Sequence, residues 1–164
     1  MLIENLPYFK ACIKWTTVGH KILLTILEQG FGIAGLVLMW YRSYLADRTQ
    51  TFQVGSESSI SFVIDCSVPQ GSVLGSLKFV SYTEDLPAVI ETHEVGHHLY
   101  ADDTQVSDHV HLSQVAAATA NIERCVASVH GWCSSKRLQL NPTKSEIIWF
   151  GTRTSLRHLQ KKRC

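Results

Sequence analysis

The sequence has almost no excess of charge of either sign: fifteen Lys and Arg face fourteen Asp and Glu, a formal net charge of +1. A whole-molecule field that small holds neither a nucleic acid nor an acidic membrane, so a polyanionic partner would need a local patch. Long apolar runs are missing too. The most apolar stretch, Phe31 to Tyr41, is about half of the ~20 residues that a spanning helix needs. Glu28 and Gln29 bound it on one side and Arg42 on the other, so it is expected to be core. The N-terminal M-L-I-E-N-L-P-Y-F-K has no basic start followed by an apolar run, and no signal peptide is expected. Cysteines are few and unpatterned: Cys12, Cys66, Cys125, Cys133 and Cys164 form no Cys-x-x-Cys pair. That excludes a regular disulfide scaffold or a zinc knuckle and fits a reducing compartment. An intracellular protein, cytoplasmic or nuclear and without a membrane partner, is the expectation. Repeats, low-complexity tracts and linkers are likewise absent. What remains is 164 residues with 45% hydrophobic and 18% charged content, enough for one domain with a sizeable core.

Apolar periodicity predicts a helix carrying Ile22, Leu23, Ile26 and Leu27, ended near Gly30. A second helical pattern covers Ile33 to Leu45. Thr49 to Val54 and Ser58 to Cys66 are rich in Thr, Phe, Val and Ile, and Gly55-Ser56-Glu57 between them reads as a hairpin connection. Pro69-Gln70-Gly71 breaks the pattern, and Ser72 can cap a helix through Leu74, Leu77, Phe79 and Tyr82. Pro87 can open a further short helix. Leu99-Tyr100-Ala101 is a short strand leading into Asp102-Asp103. A long helix is expected over about Ser113 to Lys136, with Val115, Ala118, Ile122, Val126 and Val129 inward, and Glu146 to Phe150 is a closing strand. Trp40 and Trp132 are expected in the core. Helices and strands in separate runs indicate α+β, a small antiparallel sheet with helices packed on one face.

Asp102 and Asp103 stand side by side at the tight turn. Adjacent carboxylates repel, so a fold places two there when a cation or solvent offsets the repulsion. One use is to hold hard divalent ions against substrate phosphates, as in two-metal phosphoryl chemistry; the other reading is a turn facing water. His93-Glu94-Val95-Gly96-His97 is a literal H-E-x-x-H, which on a helix sets two imidazoles on one face for zinc, with the glutamate as general base. Glu123 or Asp103 could supply a third ligand and make a zinc peptidase. Against this, Gly96 weakens a helix. His109 and His111 alternate at strand spacing and are expected at the surface.

Four segments, taken together, resemble the reverse transcriptase domain of non-LTR (LINE-type) retrotransposons. They are W-Y-R-S-Y-L-A-D-R-T-Q (Trp40 to Gln50), V-P-Q-G-S-V-L-G (Val68 to Gly75), L-Y-A-D-D-T-Q (Leu99 to Gln105) and L-Q-L-N-P-T-K-S-E (Leu138 to Glu146). The similar region covers about residues 19–151, with a basic tail at 152–164, so that residues 1–164 make a single partial domain. The resemblance implies a partial polymerase palm and RNA-directed DNA polymerisation: a primer 3′-hydroxyl attacks a deoxynucleoside triphosphate, with two Mg²⁺ (or Mn²⁺) ions as cofactors. RNA template, DNA primer and dNTP would be the partners. Asp102 and Asp103 match the family's metal-binding aspartates, and with Lys144, which matches a lysine assisting phosphoryl transfer, they make the catalytic set. Trp15, on the aromatic position beside the sugar, Tyr100, and the loop Pro69, Gln70 and Gly71 would bind substrate.

The resemblance also exposes departures. Aligning Val18 to Leu24 with the end of the family's first block and counting back puts Lys10 where the first catalytic aspartate stands. Thr16 and Gly19 fall where two further aspartates are usual. Fingers and thumb segments are not recognisable, which suggests a truncated or decayed copy, inactive alone or kept as a non-catalytic nucleic-acid-binding remnant. Lys78, on a helix that should be mostly buried, would have to snorkel or pair.

Overall fold

The computed structural model describes residues 6–14, 18–67 and 73–153. These divide into two compact units, one made of residues 6–14 and 84–153 and the other of residues 18–67 and 73–83. Among the described residues no helix is long and apolar enough to cross a membrane.

The first unit is built on a four-stranded antiparallel sheet. Its strands are β1 (Leu6–Cys12), β6 (Gly96–Tyr100), β7 (Asp103–Ser107) and β8 (Glu146–Phe150), in the order β6-β7-β1-β8. The N-terminal strand therefore lies inside the sheet, its Cys12 opposite Asp103 on one side and its Lys10 opposite Glu146 on the other. Side chains alternate across the pleat. Pro7, Phe9, Ala11 and Ile13 are buried on one face together with Thr104 and Val106. Tyr8, Lys10 and Cys12 share the other face with Asp103, Gln105 and Ser107. Helix α5 (Val115–Ser135) lies against β1 and beside α4 (Leu86–Glu91). Its buried stripe is Val115, Ala118, Ile122, Cys125, Val129, Trp132 and Cys133, a helical spacing that makes one apolar face. Cys125 fills the stripe where the periodicity nominated Val126, which is half-buried. Pro87 opens α4, where its missing N–H costs nothing. The α4 cap residue Asp85 turns its carboxylate to α5 instead of its own helix, accepting from Trp132 Nε1 at 3.2 Å and pairing with Lys136 Nζ at 2.8 Å.

The second unit holds α1 (His20–Gln29), α2 (Gly35–Leu45) and α3 (Val73–Tyr82), with α1 packed against both of the others. Two short ladders form a hairpin arm between α2 and α3: β2 (Thr49–Gln50) with β5 (Phe62–Val63), and β3 (Gln53–Val54) with β4 (Glu57–Ser58). The turn is Gly55-Ser56, one residue tighter than the sequence indicates, with Gly55 at φ 62°. Every residue from Ala46 to Val63 is exposed.

Three expectations are corrected here. The stretch from Phe31 to Tyr41 is not core: Leu38 is buried, but Leu36, Val37, Met39 and Trp40 are 51–82% exposed. Trp40 stacks on Tyr44 at the surface, 5.5 Å between ring centroids, whereas Trp132 is in the core as expected. A helix apolar on all sides carries no sign of which side packs. Lys78 neither snorkels nor pairs with a carboxylate. It is 1% exposed, with its ammonium 3.5 Å from the Tyr44 ring centroid and no hydrogen-bond partner.

A candidate functional site at the hairpin tip

Strands β6 and β7 join through two residues, Ala101 and Asp102, so Tyr100 faces Asp103 across the ladder. Ala101 sits at φ 50°, in the left-handed region that favours Gly or Asn. Asp102 is held from the neighbouring strand: its carbonyl accepts from the Ile13 amide at 2.8 Å, and its Oδ2 accepts from the Cys12 thiol at 2.9 Å. Burial, then the bond to Asp102, pushes the Cys12 thiol up to about 11. Asp103, the first residue of β7, is half-buried and its Oδ2 lies 3.3 Å from Lys10 Nζ. The same carboxylate holds the Lys10 ammonium above its ordinary range, with Glu146 adding to the effect from β8.

The segment after α5 is brought to this point by β1. Beyond Cys12 the strand continues through a bridge of Ile13 to Leu140, and the Asn141 amide donates to the Cys12 carbonyl at 2.8 Å. Asn141 then caps a short 3₁₀ turn, Pro142–Lys144, accepting from the Thr143 amide at 3.2 Å. Asn before Pro is suited to this turn, since its side chain closes the backbone while Pro sets φ. Lys144 is thereby placed beside Asp103. Lys10, Asp103, Thr143, Lys144, Ser145 and Glu146 line a pocket of about 370 Å³.

The structure thus brings Asp103 and Lys144 into one pocket, with the Asp102 carboxylate held by Cys12 beside it and Tyr100 exposed at the tip. Trp15, Pro69, Gln70 and Gly71 lie outside the described residues. Two participants went unassigned by sequence reasoning. Cys12 follows Lys10 by two and so shares its face once both lie on a strand, but the sequence carries no sign of that strand. Glu146 stood inside a recognised block without a role. The H-E-x-x-H spacing makes no joint site. His93 follows α4 in a turn and its Nε2 lies 2.9 Å from Ser128 Oγ, while His97 is on β6, 4.0 Å from Glu91 Oε1. The motif crosses from turn to strand, so its imidazoles do not share a helix face, and Glu123 is exposed on α5. His109 and His111 are exposed as expected.

The donors at the tip do not fit a divalent ion. One oxygen of each aspartate is engaged, by a thiol and by an ammonium. Among the described residues no three His, Cys, Asp or Glu side chains cluster as metal ligands.

A family model described as reverse transcriptase (RNA-dependent DNA polymerase) matches residues 15–162, beginning just past β1. The chain is 32% identical over 109 residues to the probable RNA-directed DNA polymerase from transposon BS of Drosophila melanogaster, covering 63% of this chain and 12% of that protein. It is 29% identical over 118 residues to the RNA-directed DNA polymerase from mobile element jockey, also of Drosophila melanogaster, covering 69% of this chain and 13% of that protein. The chain therefore spans about an eighth of the length of these curated relatives.

Proposed function

Because the chain belongs to the reverse transcriptase (RNA-dependent DNA polymerase) family, of non-LTR retrotransposon type, we propose that its four-stranded sheet is part of a polymerase palm. In this reading Asp102, Asp103 and Lys144 are the remnant of a group that extends a DNA primer on an RNA template with dNTPs. The observation that carries it is the tip itself: adjacent aspartates on a tight antiparallel hairpin, the second of which, Asp103, shares a pocket with a lysine from a distant segment. The exposed Lys144 ammonium is the phosphate-binding group of this pocket, since the Thr143 and Ser145 hydroxyls already donate to Asn141. Lys10 and Lys144 there face Asp103 and Glu146, so the pocket has no net charge and its hold on a nucleotide is weak and salt-sensitive.

We also propose that this chain alone does not polymerise, because the Lys10 ammonium stands beside Asp103 at the position where the sequence resemblance, counted back from Val18, puts the family's first aspartate. Primer extension on an RNA template with Mg²⁺ or Mn²⁺ tests this, and no templated product is expected. Product that disappears in Asp102→Ala would overturn the inactivity. The palm reading has its own test, photo-crosslinking of a reactive primer 3′-end on an RNA template. Adducts are expected on peptides holding Tyr100 to Asp103 or Pro142 to Glu146; adducts confined to other peptides would end it.

A further inference from the structure

We infer that the acidic tip carries its own resident cation: the Lys10 ammonium takes the electrostatic place of a bound metal ion, and the site is closed to divalent ions. The idea rests on the palm reading only for what it is compared with; the contacts stand by themselves. Lys10 projects from the middle of β1 on the open face, directly across from Gln105 and Glu146, and reaches diagonally to Asp103 Oδ2 at 3.3 Å. Its strand is held on both sides, so the ammonium is delivered to one place by the ladder and not by a mobile loop. On the other aspartate the Cys12 thiol, from two residues along the same strand and the same face, donates to Oδ2 at 2.9 Å. One strand thus supplies both partners of the pair.

Two carboxylates side by side repel, and a fixed positive charge within 4 Å offsets that. A divalent ion arriving at Asp103 would have to displace the ammonium and then sit beside it, which like-charge repulsion opposes. Reversing the charge at residue 10 would do the opposite. An aspartate there would leave three carboxylates around one point on a rigid sheet, a donor set that suits Mg²⁺ or Mn²⁺.

The test is Mn²⁺ binding to the full chain, read by the electron paramagnetic resonance of free Mn²⁺, with thermal unfolding with and without Mn²⁺ beside it. For the wild type we expect no saturable site and no change in Tm. Lys10→Asp should bind one Mn²⁺ at least ~10-fold more tightly than wild type and gain Tm with the ion, and Asp103→Asn in that background should abolish both. If Lys10→Asp does not fold without metal, Lys10→Gln keeps the stem and removes the charge; its Tm is expected to rise with Mn²⁺ where the wild type's does not. Saturable Mn²⁺ binding by the wild type that is lost in Asp103→Asn would overturn the inference. So would Lys10→Asp and Lys10→Gln behaving as the wild type does. None of these readouts involves nucleic acid, so failure here is distinct from failure of the crosslinking test.

Discussion

At the scale of single residues, Lys78 is the most unusual group in the chain. Its ammonium is buried without a hydrogen bond, and burial, with Arg48 adding repulsion, lowers its pKa from 10.5 to about 8. The Tyr44 face returns some of the lost hydration through a cation–π contact, worth about 2 kcal/mol when desolvated, but the lowered pKa says that desolvation wins. Lys78→Met should therefore stabilise the protein by about 1–3 kcal/mol at pH 7, measured by urea unfolding. The pH dependence has a definite sign. Between pH 8 and 10.5 the unfolded chain binds the Lys78 proton that the folded chain has released, so this group's contribution to stability rises across that window. The buried Cys12 and Cys133 thiols, pushed up to about 11, act in the opposite sense from pH 9, so the readout is the difference: the stability advantage of Lys78→Met over wild type should shrink from pH 8 to 10.5. Cys12 gives a second residue-scale outcome. With its thiol pushed from 9.0 to about 11, its thiolate fraction at pH 8 falls by about 100-fold. Alkylation mapped by mass spectrometry should find Cys12 slower than a free thiol by that factor in the folded chain, and normal after unfolding.

Among the elements, the β6–β7 hairpin and α5 decide the site and the core respectively. Ala101 holds a left-handed conformation that costs a non-glycine residue about 1 kcal/mol, so Ala101→Gly should stabilise the chain by up to that amount in a denaturant titration. Ile122→Ala, at the centre of the buried stripe of α5, should cost about 2–5 kcal/mol in the same measurement. How far these elements could be read from the residues depends on where their partners lie. Helices α1 and α5 carry a 3.6-residue period with end residues such as Gly30, β8 is a short apolar run after the Asn141-Pro142 turn, and the structure places all three within a residue or two of the reading. Strand β1 carries no comparable signal. Pro7 and Lys10 interrupt it, and its ladders are made with residues almost a hundred or more positions away. The meeting of Asp103 with Lys144 was legible through the order of the four sequence blocks, while the thiol on Asp102 was not, because it requires knowing that residue 12 lies on a strand. Trp40 and Lys78 failed for one common reason: nothing in an apolar helix says which of its sides meets a neighbour.

For the whole molecule, the informative feature is apolar surface. Leu36, Val37, Met39 and Trp40 on α2, together with Phe52, Val54, Ile60 and Val63 on the hairpin arm, are all at least half exposed, more than a soluble monomer normally leaves open. The isolated chain should accordingly associate with rising concentration. Sedimentation velocity should show a growing heavy fraction that shrinks in the Val37→Lys/Trp40→Lys double variant, since each substitution puts a hydrated charge on the patch. A different global consequence follows from the position of β1 inside its sheet. That strand leaves the ribosome before either neighbour exists, and some 95 residues must be added before the first one, β7, is complete, on the order of ten seconds at typical synthesis rates. During that interval Phe9 and Ile13 have no sheet to join, so nascent-chain handling by chaperones, more than the stability of the finished fold, should govern how much of this protein accumulates in a cell.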